Sequence, residues 1–275
     1  MYRYSRRYTG PLQAIIMDWA GTTVDFGSRA PIEGFRQLFA SRGIELSEAE
    51  ARGPMGAEKR EHIRQLCALP RIAQCWQQQF GQRPDSSDID AMFEDFIPMQ
   101  IKAIAATAEL IPGVTDLLAW AQPRGICIGA NTGYARSMVA GLLARAAEQG
   151  YSPQSMVCAD EVSKGRPYPY MSLANVMELG VENLAACVKI DDTQPGIDEG
   201  LNAGMWTVAL ACSGNEVGLS LEEWQGLTAD EREAYRQPAR EKFYRGGAHY
   251  VVDTIADVVP CLEDIGRRLA SGEKP

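Results

Sequence analysis

The stretch of sequence that decides the fold is residues 15–25, IIMDWAGTTVD. Together with Ala14, its apolar residues run directly into Asp18, after which the residues Gly-Thr-Thr turn the chain sharply. A short apolar run bounded by turn residues is typical of a buried strand, so the stretch predicts a strand over 14–17 with a carboxylate at its carboxyl end. That carboxylate is a candidate nucleophile. Position 20 is alanine, so no second acid stands two residues beyond it.

Outward from this strand, short apolar runs alternate with segments of helical periodicity. This alternation is typical of parallel strands joined by crossover helices, because parallel strands need long connections. The apolar runs predict strands over 14–17, 126–130, 156–158, 188–191, 207–211 and 249–252. The periodic segments predict helices over 114–121, 135–149, 170–179, 196–203 and 255–269. The fold class expected is α/β with a doubly wound parallel sheet, which binds ligands at the carboxyl ends of its strands.

One long interval between the first and second strands interrupts the alternation. It shows only helical patterns, separated by glycines and prolines, over 32–41, 57–68, 71–80 and 88–104. An insert that follows the carboxyl end of a strand lies over the active face, where it can act as a lid. The sequence therefore predicts an α/β core domain over 1–26 and 105–275 and an inserted α-helical cap domain over 27–104.

Composition excludes several classes of function. The chain has 275 residues, of which 45% are hydrophobic and 23% are charged, and a net charge of -9. A protein that binds DNA or RNA usually presents a basic face, so nucleic acid is not an expected partner. The seven cysteines are scattered in apolar contexts without a CxxC pair, as expected for a reducing compartment. The start, MYRYSRRYTGPLQ, has no apolar stretch suited to a signal peptide or membrane span, which predicts a cytoplasmic protein without a membrane partner.

Polar residues follow the predicted strands, and each of them has an ordinary explanation when it is taken alone. These residues are Asp18, Thr132, Gly133, Arg166, Asp191 and Asp192. In a parallel sheet they converge at one edge, and carboxylates that face each other there are costly unless a cation shares them. Oxygen ligands favour Mg²⁺. The threonine and the arginine supply donors for a phosphoryl group, which a carboxylate nucleophile beside Mg²⁺ is suited to transfer.

The order and spacing of these residues resemble the haloacid dehalogenase superfamily. The motifs that carry the likeness are DWAGTTVD, IGANTGY, KGRPYP and KIDDT, and the likeness extends over 13–265. With GPMGAEK at 53–59, the chain resembles one family within it, the phosphonoacetaldehyde hydrolases, or phosphonatases. The resemblance implies phosphonate degradation, in which the carbon–phosphorus bond of phosphonoacetaldehyde is hydrolysed to acetaldehyde and phosphate. It also implies Mg²⁺ held by Asp18, the carbonyl of Ala20 and Asp192, and a homodimer.

Alanine at position 20 points to a lysine elsewhere in the chain. Phosphatases with this first motif place an aspartate there, which protonates the departing alkoxide. A phosphonate would instead expel a carbanion, and an amine condensed with the neighbouring aldehyde can accept that electron pair as an enamine. The candidate is Lys59, which a helix places on one face with His62, three residues on. A lysine on an amphipathic helix is usually solvated, so the assignment depends on the insert closing over the strand ends.

The resemblance gives roles to the residues around this lysine. It assigns the Schiff base to Lys59 and implies that His62 moves protons during imine formation. Met55 would line the pocket, and Tyr134 would lie near the phosphate site. A lysine with an ordinary pKa of about 10.4 is almost entirely charged near neutral pH. Burial under the insert, with Arg60, Arg64 and Arg166 as available cations, is expected to lower the pKa of the amine.

The chain departs from the superfamily pattern at the metal site. Most members have glycine before the conserved aspartate and another acid four residues later, whereas this chain has Asp191 and Gly196 at those positions. Because successive side chains of a strand point to opposite faces, only one of the paired acids is expected to face the metal, and the motif register selects Asp192. Asp191 or Asp198 is the candidate substitute for the acid missing at Gly196.

Two other functions stay open from the sequence. One is an Mg²⁺-dependent phosphatase or phosphomutase of the same superfamily that acts on a phosphate ester, which Ala20 disfavours. The other is a non-catalytic binding or regulatory relative. The presence of a nucleophile, a metal acid, phosphate donors and a lysine together disfavours that second reading.

Overall fold

The computed structural model describes residues 7–275. The first six residues of the amino-terminal stretch, on which part of the expectation about a signal peptide rests, lie outside the described residues. No helix within 7–275 combines the length and the apolar character needed to cross a membrane.

A six-stranded parallel sheet forms the centre of the fold, as predicted. Its strands are β1 Ala14–Met17, β2 Cys127–Thr132, β3 Ser155–Cys158, β4 Cys187–Asp191, β5 Trp206–Leu210 and β6 Tyr250–Val252. They lie in the order β3-β2-β1-β4-β5-β6, so β1 is central and pairs with both β2 and β4. The connections run to opposite sides of β1, which makes its carboxyl end the place where such sheets bind ligands. Asp18 is the first residue beyond that end.

Helices surround the sheet and fill the long interval between β1 and β2. That interval holds α1 Arg29–Ala40, α2 Glu48–Arg52, α3 Lys59–Ala68, α4 Pro70–Phe80 and α5 Ser86–Thr107. The other helices are α6 Val114–Ala121, α7 Ala140–Glu148, α8 Tyr170–Glu178, α9 Gln194–Ala203, α10 Leu221–Gly226, α11 Ala229–Arg245 and α12 Val259–Ala270. Short 3-10 turns at Arg136–Met138 and Ile255–Asp257 take the starts of two predicted helices. Helices α2, α10 and α11 lie in stretches for which the sequence pattern predicts no element.

The helices between β1 and β2 pack on one another through aromatic side chains. The rings of Phe35 on α1 and Phe96 on α5 stack with their centroids 4.6 Å apart. Phe35 also lies against His62 of α3, with centroids 3.9 Å apart. All three side chains are buried. These contacts fix α3, which begins at Lys59, relative to the longer helices α1 and α5.

Candidate active site

The turn after β1 holds Asp18 in place. The backbone N–H of Asp18 donates to the carbonyl of Ile190 on β4 (3.1 Å), and its own carbonyl accepts from the Thr23 hydroxyl (3.0 Å). Thr23 also closes the turn by donating its backbone N–H to the Trp19 carbonyl (2.8 Å). The Asp18 side chain is buried, and this burial raises its pKa, an effect that the neighbouring Arg166 opposes.

Arg166 connects Asp18 to a buried polar network. Its Nη2 donates to Asp18 Oδ1 (2.7 Å) and to Asn131 Oδ1 (2.6 Å), while its Nε donates to Glu199 Oε2 (3.0 Å). Lys189, fully buried in β4, donates from Nζ to the same Asn131 oxygen (2.7 Å) and lies 3.0 Å from Asp191 Oδ2. A planar guanidinium is suited to holding several acceptors at once, because its N–H donors point in fixed directions.

Three buried carboxylates meet at the carboxyl ends of β1 and β4. One oxygen from each of Asp18, Asp191 and Asp192 lies within 4.8 Å of the others. Asp192 is fixed by the Thr22 hydroxyl (3.2 Å) and by the backbone N–H of Asn215 (2.8 Å). The expectation that only one acid of the pair faces this site is wrong. Asp191 is the last residue of β4 and Asp192 lies in the bend beyond it, where strand alternation no longer applies.

Gly196 explains how Asp191 reaches the cluster. A Cβ atom at position 196 would collide with the Asp191 carboxylate, so that carboxylate fills the space where another residue would carry a side chain. Of the two substitutes considered for the missing acid, Asp191 therefore lies in the cluster. The other, Asp198, lies outside it and accepts a hydrogen bond from Gln194 Nε2 (2.7 Å).

The charges of this cluster fit a divalent cation. Asp18, Asp191, Asp192 and Glu199 are buried, and within the described part of the chain Arg166 and Lys189 form ion pairs with three of them, while Lys59 interacts with Asp18 and Asp192 from a greater distance. Four carboxylates thus face three cations. Burial, and then the neighbouring Asp18 and Asp191, hold the pKa of Asp192 well above its usual value. Burial would also raise the pKa of Asp191, but Arg166 and Lys189 lower it. An oxygen donor set with uncompensated negative charge is the kind that binds Mg²⁺.

Eight of the predicted site residues line one cavity beside the cluster. Those on its wall are Asp18, Ala20, Met55, Lys59, Thr132, Gly133, Tyr134 and Arg166. Ser28, Pro31, Gly56 and Thr193 also line it, and sequence reasoning missed them. The cavity is formed by the turn after β1, the start of α1, the segment before α3, and the loops after β2, β3 and β4. Its walls thus combine residues of the helical insert with residues of the sheet edge.

Lys59 is buried in this cavity, contrary to the usual solvated position of a lysine on a helix. Its Nζ lies 4.9 Å from the centroid of the Tyr134 ring and 5.8 Å from that of Phe35. The surroundings together lower the pKa of Lys59 to about 8; burial is the main cause and Arg166 adds to it, whereas Asp18 and Glu58 oppose the change. Of the cations considered from the sequence, Arg60 pairs with Asp90 and Arg64 pairs with Glu61 on the surface. Arg166 is therefore the arginine that helps to lower the pKa of this amine.

The segment before α3 lies directly on the loop after β4. Gly56 has a φ of 89°, and a Cβ there would collide with the Thr193 hydroxyl. Both the conformation and the close approach require glycine at this position. Thr193 in turn donates from its hydroxyl to Asp191 Oδ1 (2.7 Å). The insert therefore reaches within one residue of the carboxylate cluster.

His62 is not among the residues that line the cavity; it follows Lys59 by three residues on α3. Its Nε2 is 2.9 Å from the carbonyl oxygen of Ala51, so this nitrogen carries the proton and donates. The other nitrogen, Nδ1, is buried and has no hydrogen-bond partner among the described residues. Burial, and then Lys59, keep the pKa of His62 well below its usual value. A neutral imidazole with an unpaired nitrogen near a lysine is able to accept a proton.

The chain resembles known proteins along its whole length. A family model described as haloacid dehalogenase-like hydrolase matches residues 12–204. The chain is 52% identical over 274 residues to the phosphonoacetaldehyde hydrolase of Hahella chejuensis, covering 100% of this chain and 93% of that protein. It is 46% identical over 264 residues to that of Bordetella pertussis, covering 96% of each. The crystal structure of a phosphonoacetaldehyde hydrolase-like protein from Oleispira antarctica matches with a TM-score of 0.98, 48% identity and 100% coverage of both chains. The chain therefore belongs to the haloacid dehalogenase-like hydrolases and, within them, to the phosphonoacetaldehyde hydrolase family.

Proposed function

We propose that this protein hydrolyses the carbon–phosphorus bond of phosphonoacetaldehyde, giving acetaldehyde and phosphate, through a Schiff base on Lys59 and a phosphorylated Asp18. The observation that carries the proposal is the presence of a buried lysine on the same cavity wall as a carboxylate nucleophile, where position 20 has no acid. The names of the relatives support the same substrate.

The reaction begins at the Lys59 amine. A pKa of about 8 leaves roughly a quarter of the amine neutral at pH 7.5, whereas an ordinary lysine is about 0.1% neutral. The neutral amine adds to the aldehyde carbon, and loss of water gives a protonated imine. Asp18 then attacks phosphorus, and the electron pair of the carbon–phosphorus bond moves into the imine to form an enamine. Protonation and hydrolysis of the enamine release acetaldehyde, and water cleaves the aspartyl phosphate to return Asp18 and phosphate.

Residues of the sheet edge bind the phosphoryl group in this proposal. Arg166 supplies charged donors, while the Thr132 hydroxyl and the backbone at Gly133 supply neutral ones. Tyr134 lies near this group with its ring against Lys59, and Met55 lines the pocket. Support comes from the position of these five residues on the cavity wall.

Mg²⁺ is the cofactor that we propose, held by Asp18, the carbonyl of Ala20 and Asp192. The position of the Asp191 carboxylate supports it as a further ligand or a close neighbour of the ion. When bound, the ion neutralises the charge of the carboxylates and of the phosphonate, so that an anionic nucleophile can approach an anionic phosphorus group.

His62 is proposed as the proton carrier for imine formation. The unpaired Nδ1 can take the proton that the Lys59 amine loses when it adds to the aldehyde, because the other ring nitrogen is held by the Ala51 carbonyl. The resulting imidazolium is disfavoured in its buried position, so the proton is returned readily to the carbinolamine.

The insert, the compartment and the assembly complete the proposal. Residues 27–104 form a cap domain over a core domain made of 1–26 and 105–275, and the contact of Gly56 with Thr193 supports a closed arrangement of the two. We propose a cytoplasmic homodimer that acts on a small-molecule phosphonate. All seven cysteines lie in the described part of the chain as free thiols, which is compatible with a reducing compartment.

The substrate is tested by comparing two phosphorus compounds. The protein should release acetaldehyde and phosphate in equal amounts from phosphonoacetaldehyde in the presence of Mg²⁺. It should hydrolyse p-nitrophenyl phosphate much more slowly, because this ester has no aldehyde with which Lys59 can form an imine and so gains none of the rate enhancement that the imine supplies. Faster release from the ester would favour a phosphatase or phosphomutase, and no release from either compound would favour a non-catalytic relative.

Removal of the cation should abolish activity. Protein treated with EDTA is expected to be inactive and to recover on addition of Mg²⁺, because the carboxylates at the site would repel the phosphonate. Calorimetric titration with Mg²⁺ should show affinity at least about tenfold weaker for Asp191→Asn, as is typical for groups that ligate or support a metal. Asp198→Asn is the matched control and should bind Mg²⁺ as the wild type does. Full activity in excess chelator would contradict the metal site.

A further inference from the structure

Glu199 is a fully buried carboxylate on α9 that no step of the proposed reaction uses. Its Oε1 accepts from the backbone N–H of Ser172 (2.8 Å), the hydroxyl of Ser172 (2.7 Å) and Nδ2 of Asn131 (2.9 Å). Its Oε2 accepts from Arg166 Nε (3.0 Å) and lies 3.8 Å from Lys189 Nζ. Each oxygen is therefore fixed by protein donors before any substrate binds.

Every group that Glu199 contacts is acting as a donor. A carboxylate meets this demand because it only accepts, whereas a glutamine would turn its NH₂ group either towards the Ser172 and Asn131 donors or towards Arg166. Burying an ionised carboxylate is costly unless it is paired and fully hydrogen-bonded, as it is here. The arrangement requires a charged, acceptor-only group at this position.

Glu199 determines which way Arg166 points. The guanidinium is planar, so a partner that holds Nε on one edge sets the direction of the remaining nitrogens. With Nε on Glu199, Nη2 reaches Asp18 Oδ1 at 2.7 Å and Asn131 Oδ1 at 2.6 Å. Asn131 is in turn held by Glu199 through Nδ2. One carboxylate thus orients both Arg166 and the asparagine that accepts from it.

Gly196, on the same helix, explains why the helix supplies its carboxylate from position 199. Gly196 lies three residues earlier on α9, and the Asp191 carboxylate occupies the space beside it. An acid at 196 would collide with Asp191, so the helix can offer a carboxylate to the network only from a later position. Glu199 is that carboxylate.

We infer that Glu199 is a positioning residue, which holds Arg166 through Nε so that Nη2 faces Asp18 and the phosphoryl group. The inference rests on the proposed function, since it concerns the phosphoryl-transfer half of that reaction. Loss of Glu199 should therefore impair phosphoryl transfer but not imine formation, which takes place on the insert at Lys59.

Glu199→Gln tests the inference. Its kcat/KM for phosphonoacetaldehyde should fall about 10- to 100-fold, the usual effect of removing a group that orients a residue at the reacting centre. The affinity for inorganic phosphate, measured by calorimetry, should fall as well. Labelling of Lys59 by acetaldehyde and borohydride should stay within about threefold of wild type, because Arg166 keeps its charge in this variant and this step needs no phosphoryl group. Parallel loss of labelling would show a general structural role and overturn the inference.

A double-mutant cycle tests whether Glu199 acts through Arg166. Arg166→Lys keeps the positive charge but has no Nε, so Glu199→Gln in that background should lower kcat/KM and phosphate affinity less than about threefold. Equal losses in both backgrounds would overturn the inference. So would retention of more than about a third of wild-type activity by Glu199→Gln alone.

Two further variants control for folding. Ser155→Ala removes a buried hydroxyl that bonds Asn175 (2.7 Å) away from Arg166, and should leave kcat/KM within about twofold. Should Glu199→Gln not fold, Glu199→Asp keeps the charge but sets it one carbon further from Nε, and should still lose at least about fivefold. If wild type itself releases no phosphate from phosphonoacetaldehyde, the proposed function fails, while the coupling of Glu199 with Arg166 is still measured by phosphate binding.

Discussion

Asp18→Asn should retain less than about a hundredth of wild-type turnover, because loss of an essential catalytic group costs several kcal/mol. The amide has nearly the shape of the carboxylate but is far weaker as a nucleophile towards phosphorus, and it withdraws one negative ligand from the cation. Its side chain can still accept from Arg166 Nη2, which lies 2.7 Å from Oδ1 in the wild type. The steady-state rate of phosphate release from phosphonoacetaldehyde is the measurement.

The fold of this variant should remain intact. Burial raises the pKa of Asp18, which means that the buried site disfavours the charged carboxylate, and a neutral amide avoids that cost. Asp198→Asn is the matched control, since its carboxylate lies on the partly exposed side of α9 and bonds to Gln194. It should have wild-type turnover. Activity above about a hundredth in Asp18→Asn, with a normal thermal transition, would contradict an aspartyl-phosphate route.

Lys59→Arg should abolish hydrolysis of phosphonoacetaldehyde. Arginine keeps the positive charge and much of the length of the side chain but stays protonated, so it cannot add to an aldehyde. Without the imine, attack at phosphorus would have to expel a carbanion, and position 20 offers no acid to assist. Acetaldehyde and phosphate should both fall below detection over hours.

The matched control for this variant is Lys164→Arg. Lys164 is an exposed lysine whose Nζ lies 4.5 Å from the centroid of the Tyr168 ring, in the segment just before Arg166. Its replacement should leave the rate within about twofold, as is usual for surface substitutions. Residual hydrolysis in Lys59→Arg at more than about a hundredth of wild type would mean that another group accepts the electron pair.

The sheet could be predicted from the sequence because its strands are buried on both faces. Such strands are continuous apolar runs, and the run in β1 predicts the strand at its observed bounds, Ala14–Met17. The converging site residues follow from the same fact, since the carboxyl ends of parallel strands meet at one edge. The burial of Lys59 could not be predicted from periodicity, because it depends on how the insert folds over that edge of the sheet.

The three helices that the pattern missed have weak apolar faces. In α11, which spans 17 residues, only Ala239 and Phe243 are buried, so hydrophobic periodicity gives little signal. Each of the three begins instead with a capping box, in Ser47–Glu50, Ser220–Glu223 and Thr228–Glu231. This local signal was present in the sequence and would have found them.

The buried polar network around Asn131 and Lys189 has a different signature in the sequence. Asn131 and Lys189 lie inside apolar strand segments, and a polar residue in a doubly buried strand needs a partner. That pattern indicates an interior network but not its members. The roles of Asp191 and Glu199 depend on the space left by Gly196, which only the packed structure defines.

The most direct test of the account is to trap the imine. Borohydride added while the protein turns over phosphonoacetaldehyde should inactivate it permanently, and mass spectrometry should place the reduced adduct on the peptide that contains Lys59. Lys59→Arg should take up no label, while Lys164→Arg should be labelled as wild type is. A label on Lys164 or another lysine would contradict the role of the insert. Release of phosphate without any label would contradict the imine mechanism itself.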